Sequence, residues 1–149
     1  MSTRTQEAVP LPRVAVRLGY AGLLPFVALA MAAWLLPLGY RAQAIHALLA
    51  YGATIASFLG AIHWGFGMRG LQVLQPGPWV WGVFPSVVAW LTLLLPPSQG
   101  LVTLALLLGI CLAVDWRSYP GYGLGAWLTM RLHLTTVAVV CLLAGSAAA

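Results

Sequence analysis

Apolar runs about as long as a membrane-spanning helix occupy most of the chain, and short stretches rich in proline, glycine and polar residues separate them. A hydrocarbon core of about 30 Å is crossed by about 20 apolar residues in a helix, which matches these runs. The pattern predicts an all-α integral membrane bundle of five transmembrane helices, preceded by a flexible cytoplasmic tail at residues 1–13. The predicted helices cover residues 14–36, 42–67, 79–95, 100–114 and 124–143, inside a transmembrane domain of residues 14–146.

Prolines mark the predicted interruptions. Pro25 lies inside the first predicted helix, and we expect a kink there because proline lacks the backbone N–H donor. The Pro-Gly-Pro sequence at 76–78 is expected to belong to the polar connection before the third helix. The third and fourth predicted helices are short for a span, so a re-entrant pair is an alternative to a transmembrane hairpin.

The composition favours a membrane protein and argues against nucleic-acid binding. Of the 149 residues 62% are hydrophobic and only 6% are charged, and the net charge of +5 comes from seven arginines and two acids. Charges this sparse cannot neutralise a row of phosphates. The lipid bilayer is therefore the expected partner, and other membrane protein subunits stay open as a second class of partner.

Arginines near the predicted helix ends predict the orientation. With a cytoplasmic amino terminus, five arginines fall on the cytoplasmic side and only Arg41 on the far side, as the positive-inside rule requires. This distribution predicts a multi-pass protein of a bacterial inner (cytoplasmic) membrane. A cleaved signal peptide fits the first run less well, because the apolar residues continue past the candidate cleavage site at 28–30.

A stripe of small residues marks one face of the second predicted helix. Gly52, Ala56, Gly60 and His63 lie within roughly 80° of one another when each residue turns the helix by about 100°. Small residues let helix backbones approach closely in lipid. The stripe is therefore the predicted packing face, and His63 is expected to point into the bundle at its cytoplasmic end.

Asp115 is the only acid outside the tail, and Arg131 lies inside the fifth predicted helix. Because an unpaired arginine in a membrane costs about 3 kcal/mol, we expect Asp115 to pair with it. One interpretation is a structural ion pair that locks the fourth helix against the fifth. The other is a polar pocket in the cytoplasmic leaflet, where His63, Asp115 and Arg131 bind a headgroup or transfer a proton.

The remaining histidines do not define a metal or haem site. His133 is about 160° from Arg131 around the helix, so the two cannot face the same small pocket. His46 and His63 are too far apart on one helix to share a haem, whereas a His63 and His133 pair stays geometrically open. Because the sequence shows no zinc-like spacing, acidic pair or phosphate-binding loop, we predict no metal, no cofactor and no catalytic residue.

Three segments and one late pattern resemble a known family. They are LGYAGLLPF at 18–26, YGATIASFLGAIHWG at 51–65, WVWGVFPSVVAWL at 79–91, and Asp115 followed by WLTMRLHLT at 127–135. These residues are similar to the domain-of-unknown-function 3429 family, which contains transmembrane protein 69-like small membrane proteins. The resemblance implies a multi-helix membrane protein with no established activity.

The same resemblance selects candidate site residues. It implies that His63, Trp64, Asp115 and Arg131 occupy the polar motif positions of the family. His133 stands where many relatives carry another basic residue, which argues against a ligand role for His133 itself.

Two functional hypotheses follow from the sequence. In the first, the protein is a non-enzymatic accessory, assembly or scaffold subunit, and its buried polar cluster is structural. In the second, it is a small membrane carrier or a lipid- or quinone-headgroup binder that uses the His63, Asp115 and Arg131 pocket. An enzyme ranks third, because no nucleophile and base can be named.

Overall fold

The structure, a computed structural model, describes residues 11–69 and 76–149, and within these ranges it contains helices and no β-strand. Six α-helices follow one another: α1 (Arg13–Ala21), α2 (Leu24–Leu35), α3 (Leu38–Met68), α4 (Pro76–Thr92), α5 (Pro97–Ser118) and α6 (Leu128–Ala148). Two short 3₁₀ helices, Tyr119–Tyr122 and Gly125–Trp127, connect α5 to α6. The prediction of an all-α membrane bundle is confirmed, whereas tail residues 1–10 and loop residues 70–75 lie outside the described residues.

Among the described residues, four stretches are long and apolar enough to cross a membrane by length and composition. They are Arg13–Leu35, Leu38–Met68, Pro97–Tyr122 and Gly125–Ala148. The helix α4 is not one of these four stretches. It has 17 residues, which gives a length of roughly 26 Å at about 1.5 Å per residue. The protein is therefore a multi-pass membrane protein, and a full crossing by α4 stays a prediction.

The first span is broken into two helices rather than kinked at Pro25. The break lies at Gly22 and Leu23, because Pro25 lacks the N–H that would otherwise bond to the carbonyl of Ala21 one turn earlier. The Tyr51 hydroxyl of α3 donates a 2.8 Å hydrogen bond to the Gly22 carbonyl and so ties the break to α3.

Several predicted helix boundaries were wrong, and prolines explain the errors at the helix starts. The Pro-Gly-Pro sequence forms the first turn of α4 instead of a loop, since proline is tolerated where the backbone N–H has no helical partner. For the same reason α5 begins at Pro97 and α3 begins directly after Pro37. The larger error concerned α5, which continues to Ser118 and therefore includes Asp115.

Glycines allow the helices of the core to approach closely. A Cβ atom at Gly52 of α3 would lie 2.6 Å from a methyl carbon of Leu104 in α5 and 3.3 Å from one of Leu142 in α6. A Cβ atom at Gly60 would lie 2.8 Å from the Gly82 carbonyl oxygen of α4. Ala56 is fully buried between these two positions. The predicted small-residue stripe therefore lies where α3 contacts α4, α5 and α6.

The outer surface of the bundle is apolar. Large side chains such as Leu24, Leu94 and Leu106 are more than 60% exposed. An apolar surface of this extent is unfavourable in water and fits contact with lipid. Lipid contact thus explains why a chain with so many apolar residues leaves many of them outside its core.

Candidate functional site

A buried ion pair joins the end of α5 to the start of α6. Arg131 donates hydrogen bonds from Nε and Nη2 to the same carboxylate oxygen, Oδ2 of Asp115, at 2.8 and 2.7 Å. Asp115 is 1% exposed and Arg131 is 7% exposed. Breaking a buried pair of this kind leaves an uncompensated charge, so the two residues must be considered together.

The helix dipoles do not stabilise these charges. Arg131 follows Leu128, the first residue of α6, by three positions, and Asp115 precedes Ser118, the last residue of α5, by three. A cation near a helix amino terminus and an anion near a carboxyl terminus both oppose the macrodipole. Each charge therefore depends on the other for compensation. Sequence reasoning had placed Arg131 deeper inside its helix, because the predicted helix began four residues too early.

His63 adds a third helix to this cluster. Its Nε2 atom lies 3.6 Å from Oδ1 of Asp115 and 3.3 Å from the Ser118 hydroxyl oxygen. The Ser118 hydroxyl also donates a hydrogen bond to the Val114 carbonyl at 2.9 Å. Nδ1 is buried with no hydrogen-bond partner among the described residues. We call His63, Asp115, Ser118 and Arg131 the polar cluster.

The other sequence-predicted candidates lie away from the polar cluster. Trp64 follows His63 but points toward α4, where its indole N–H donates to the Trp79 carbonyl at 2.9 Å. It packs so closely over Gly82 that a Cβ atom there would overlap its ring. His133 faces α1, with Nδ1 3.1 Å from the Tyr20 hydroxyl. Trp64 thus joins α3 to α4, and His133 joins α6 to α1.

A cavity of about 460 Å³ opens beside the polar cluster, between α1–α2 on one side and α3 and α6 on the other. A volume of this size falls within the range of roughly 300–1,000 Å³ that is usual for small-molecule sites. The cavity is bounded mainly by apolar side chains, with Arg131, Tyr119, Trp127 and Thr135 among its few polar ones. The apolar boundary consists of Ala15, Leu18, Gly19, Gly22, Leu23, Phe26, Ile55, Phe58, Leu59, Ile62, Leu108, Met130, Leu134 and Ala138.

The cavity has a polar end and an apolar end. Arg131 and Trp127 bound it near the start of α6, and Ala138 bounds it two turns later, roughly 10 Å away at 1.5 Å per residue. Asp115 and His63 are not among the residues that line the cavity. They lie behind the guanidinium, so the sequence-predicted pocket of His63, Asp115 and Arg131 presents only Arg131 to a ligand.

Sequence reasoning missed two residues of this region. Tyr119 lines the cavity together with Arg131, and the Ser118 hydroxyl oxygen lies 3.3 Å from Nε2 of His63. Both had been assigned to a loop, because the fourth predicted helix ended at Val114. Ser118 follows Asp115 by three residues and Tyr119 follows it by four. If the predicted helix had been extended by one turn, this spacing would have placed both residues on the same helix face as Asp115.

Comparisons with known proteins identify the family of the chain. The family model described as "Protein of unknown function (DUF3429)" matches residues 11–147. A curated protein from Xenopus tropicalis, "Transmembrane protein 69", is 35% identical over 137 residues, which cover 88% of this chain and 53% of that protein. The chain thus spans about half the length of this relative. No solved structure matches significantly. The chain belongs to the family of proteins of unknown function DUF3429.

Proposed function

We propose that this protein is a non-enzymatic membrane protein that binds an amphiphilic small molecule, with the apolar part of the ligand in the cavity and its polar end at Arg131 and Tyr119. The observation that carries the proposal is the 460 Å³ cavity, which is apolar over most of its boundary and has Arg131 among its few polar lining residues. An apolar pocket with a few convergent polar groups is the usual form of a ligand site.

The remaining N–H groups of Arg131 support this assignment. A guanidinium carries five N–H donors, and two of them bond to Asp115. The side chain also lines the cavity. A ligand acceptor at this end could therefore receive a hydrogen bond without displacing Asp115.

A residue at the edge of the cavity offers a selective test. Ala15 of α1 lines the cavity, and α1 contains no buried residue, so a larger side chain is tolerated there. Ala15→Phe should fill part of the cavity. Ala21→Phe on the same helix is the matched control, because Ala21 is exposed and does not line the cavity.

The experiment is native mass spectrometry of protein purified gently from its membrane. We expect a bound amphiphile on the wild type and on Ala21→Phe, and its loss from Ala15→Phe. Equal occupancy of both variants, or no bound molecule on the wild type, would contradict the proposal.

A second candidate function is an accessory, assembly or scaffold subunit that binds no ligand. It is favoured by the polar cluster itself, because Asp115 and Arg131 already compensate each other and join α5 to α6. In that case every variant that retains the Asp115–Arg131 ion pair should still bind the same partner membrane proteins. Co-purification of the same membrane proteins with the wild type and with Ala15→Phe, in the absence of a bound amphiphile, would favour this second function.

The amino terminus is proposed to lie in the cytoplasm of a bacterial inner membrane. The arginine distribution supports this, and the one far-side arginine has a local structural role: the Arg41 side chain donates to the Leu36 and Trp34 carbonyls at the end of α2. Single cysteines introduced at Arg69 and at Arg41 in a protein without Cys111 and Cys141 test the orientation. A membrane-impermeant thiol reagent added to whole cells should label the position 41 variant and not the position 69 variant.

A further inference from the structure

The charge of the polar end restricts the class of ligand, provided that the cavity is a ligand site as proposed above. Nη2 of Arg131 lies 2.7 Å from Oδ2 of Asp115, and both residues are buried. Their charges therefore cancel within the protein. An anionic headgroup would therefore enter as a second, uncompensated negative charge. Desolvation of an ion without a counter-charge costs several kcal/mol.

The hydrogen-bonding groups at this end are chiefly donors. Arg131 and Trp127 both line the cavity, and the polar groups of an arginine and a tryptophan side chain are N–H donors. Tyr119 also lines the cavity, and a tyrosine hydroxyl can donate as well as accept a hydrogen bond. A ligand that meets these groups must supply acceptors, and a carbonyl oxygen is an acceptor that carries no net charge.

The side chains at the polar end also favour a flat ligand. Tyr119 and Trp127 line the cavity together with Arg131, and two further aromatic residues, Phe26 and Phe58, also line it. Aromatic side chains pack well against planar rings. The cavity therefore offers aromatic side chains that can contact a planar ring, and apolar side chains cover most of the rest of its boundary.

We infer that the ligand is a quinone: an uncharged, planar ring whose carbonyl oxygen accepts from Arg131 and whose apolar tail lies between α2, α3 and α6. The inference rests on the proposed ligand-binding function and makes it specific. It concerns binding only and requires no electron transfer by the protein. Fatty acids and phospholipids, which end in a carboxylate or a phosphate, are the competing classes.

Three probes with the same tail separate the alternatives. They are decyl-benzoquinone, decanoate at neutral pH, and decanol, which share the apolar part and differ in the polar end. Each is added to purified, delipidated protein in detergent, and the shift in the unfolding temperature is measured, since a ligand that binds only the folded state stabilises it. Tryptophan fluorescence provides a second readout for the quinone, and Trp127→Phe identifies the part of the quenching that arises at the cavity.

We expect decyl-benzoquinone to raise the unfolding temperature and to quench Trp127 saturably. Ala15→Phe should weaken this binding at least about tenfold, a change of roughly 1.4 kcal/mol, and Ala21→Phe should leave it unchanged. Decanoate should neither stabilise the protein nor compete. If Ala15→Phe unfolds, Ala15→Leu is the smaller replacement that keeps the comparison.

The possible results distinguish the inference from the proposed function. Binding of decanoate or decanol in preference to the quinone, with loss in Ala15→Phe, would overturn the quinone assignment and keep the ligand cavity. If no probe and no native lipid binds in a manner that Ala15→Phe reduces, both the quinone assignment and the proposed function are wrong.

Discussion

Replacing Asp115 with Asn removes one negative charge from the polar cluster. It also replaces Oδ1, which lies 3.6 Å from Nε2 of His63, with an amide NH2 group. Both hydrogen bonds from Arg131 reach the same oxygen, Oδ2, so an asparagine whose carbonyl oxygen takes that position can still accept both. What is lost is the charge that compensates the guanidinium. Breaking a buried pair in this way typically costs about 3–5 kcal/mol, and membrane insertion scales give about 3 kcal/mol for an unpaired arginine.

We therefore expect Asp115→Asn to lower the free energy of unfolding by about 3 kcal/mol, which corresponds to a decrease of roughly 6–12 °C in the unfolding temperature. Arg131→Gln should be destabilising for the reciprocal reason, because it leaves the carboxylate buried without its partner. The double variant restores a neutral, hydrogen-bonded pair of amides. It should be more stable than either single variant.

Two buried thiols make the measurement convenient. Cys111 and Cys141 are free and buried, so a thiol-reactive fluorophore reports unfolding in detergent as the temperature rises. The reasoning is refuted if Asp115→Asn melts within 1 or 2 °C of the wild type, or roughly 0.5 kcal/mol. It is also refuted if the loss in the double variant equals the sum of the two single losses.

Three further outcomes follow from the structure. Gly60→Ala should lower the free energy of unfolding by about 1–3 kcal/mol, because its methyl group would lie 2.8 Å from a backbone oxygen. Gly65→Ala on the same helix is the control in the same melting assay, and it should be neutral or stabilising because the added methyl group meets open space. His63→Gln should lower the free energy of unfolding by only about 1 kcal/mol. Ligand binding, measured by mass spectrometry, should be unchanged because His63 lies outside the cavity boundary. Loss of binding without unfolding would contradict this expectation. Tyr20→Phe removes the hydroxyl that contacts His133, so amide hydrogen exchange in α1 should accelerate roughly 2- to 10-fold. Unchanged exchange would show that this contact does not stabilise the packing of α1 against α6.

The bundle was predictable because membrane helices leave a strong signal in sequence. Apolar runs must be long enough to cross lipid and must satisfy their own backbone hydrogen bonds, which leaves few alternatives to helices. Charges are scarce for the same reason. With Asp115 as the only acid after the tail, a partner for Arg131 could be named from the sequence.

Helix ends and the cavity were not predictable in the same way. Proline begins a helix as readily as it ends one, so the boundaries at Pro76 and Pro97 were misplaced by three residues each. Because the predicted helix ended at Val114, Tyr119 and Ser118 were assigned to a loop and were not recognised as neighbours of Asp115. The cavity depends on the break at Gly22 and Leu23, which sets the position of α1 relative to α6, and no local pattern in the sequence gives that position.

An experimental map of the protein extracted together with its native lipids tests the central claim most directly. Elongated density should occupy the space between Phe26 and Trp127, with its wider end within hydrogen-bonding distance of the Arg131 guanidinium and with Asp115 still bonded behind it. A cavity closed by α1 packed against α6, or density that makes no polar contact with Arg131, would contradict the account.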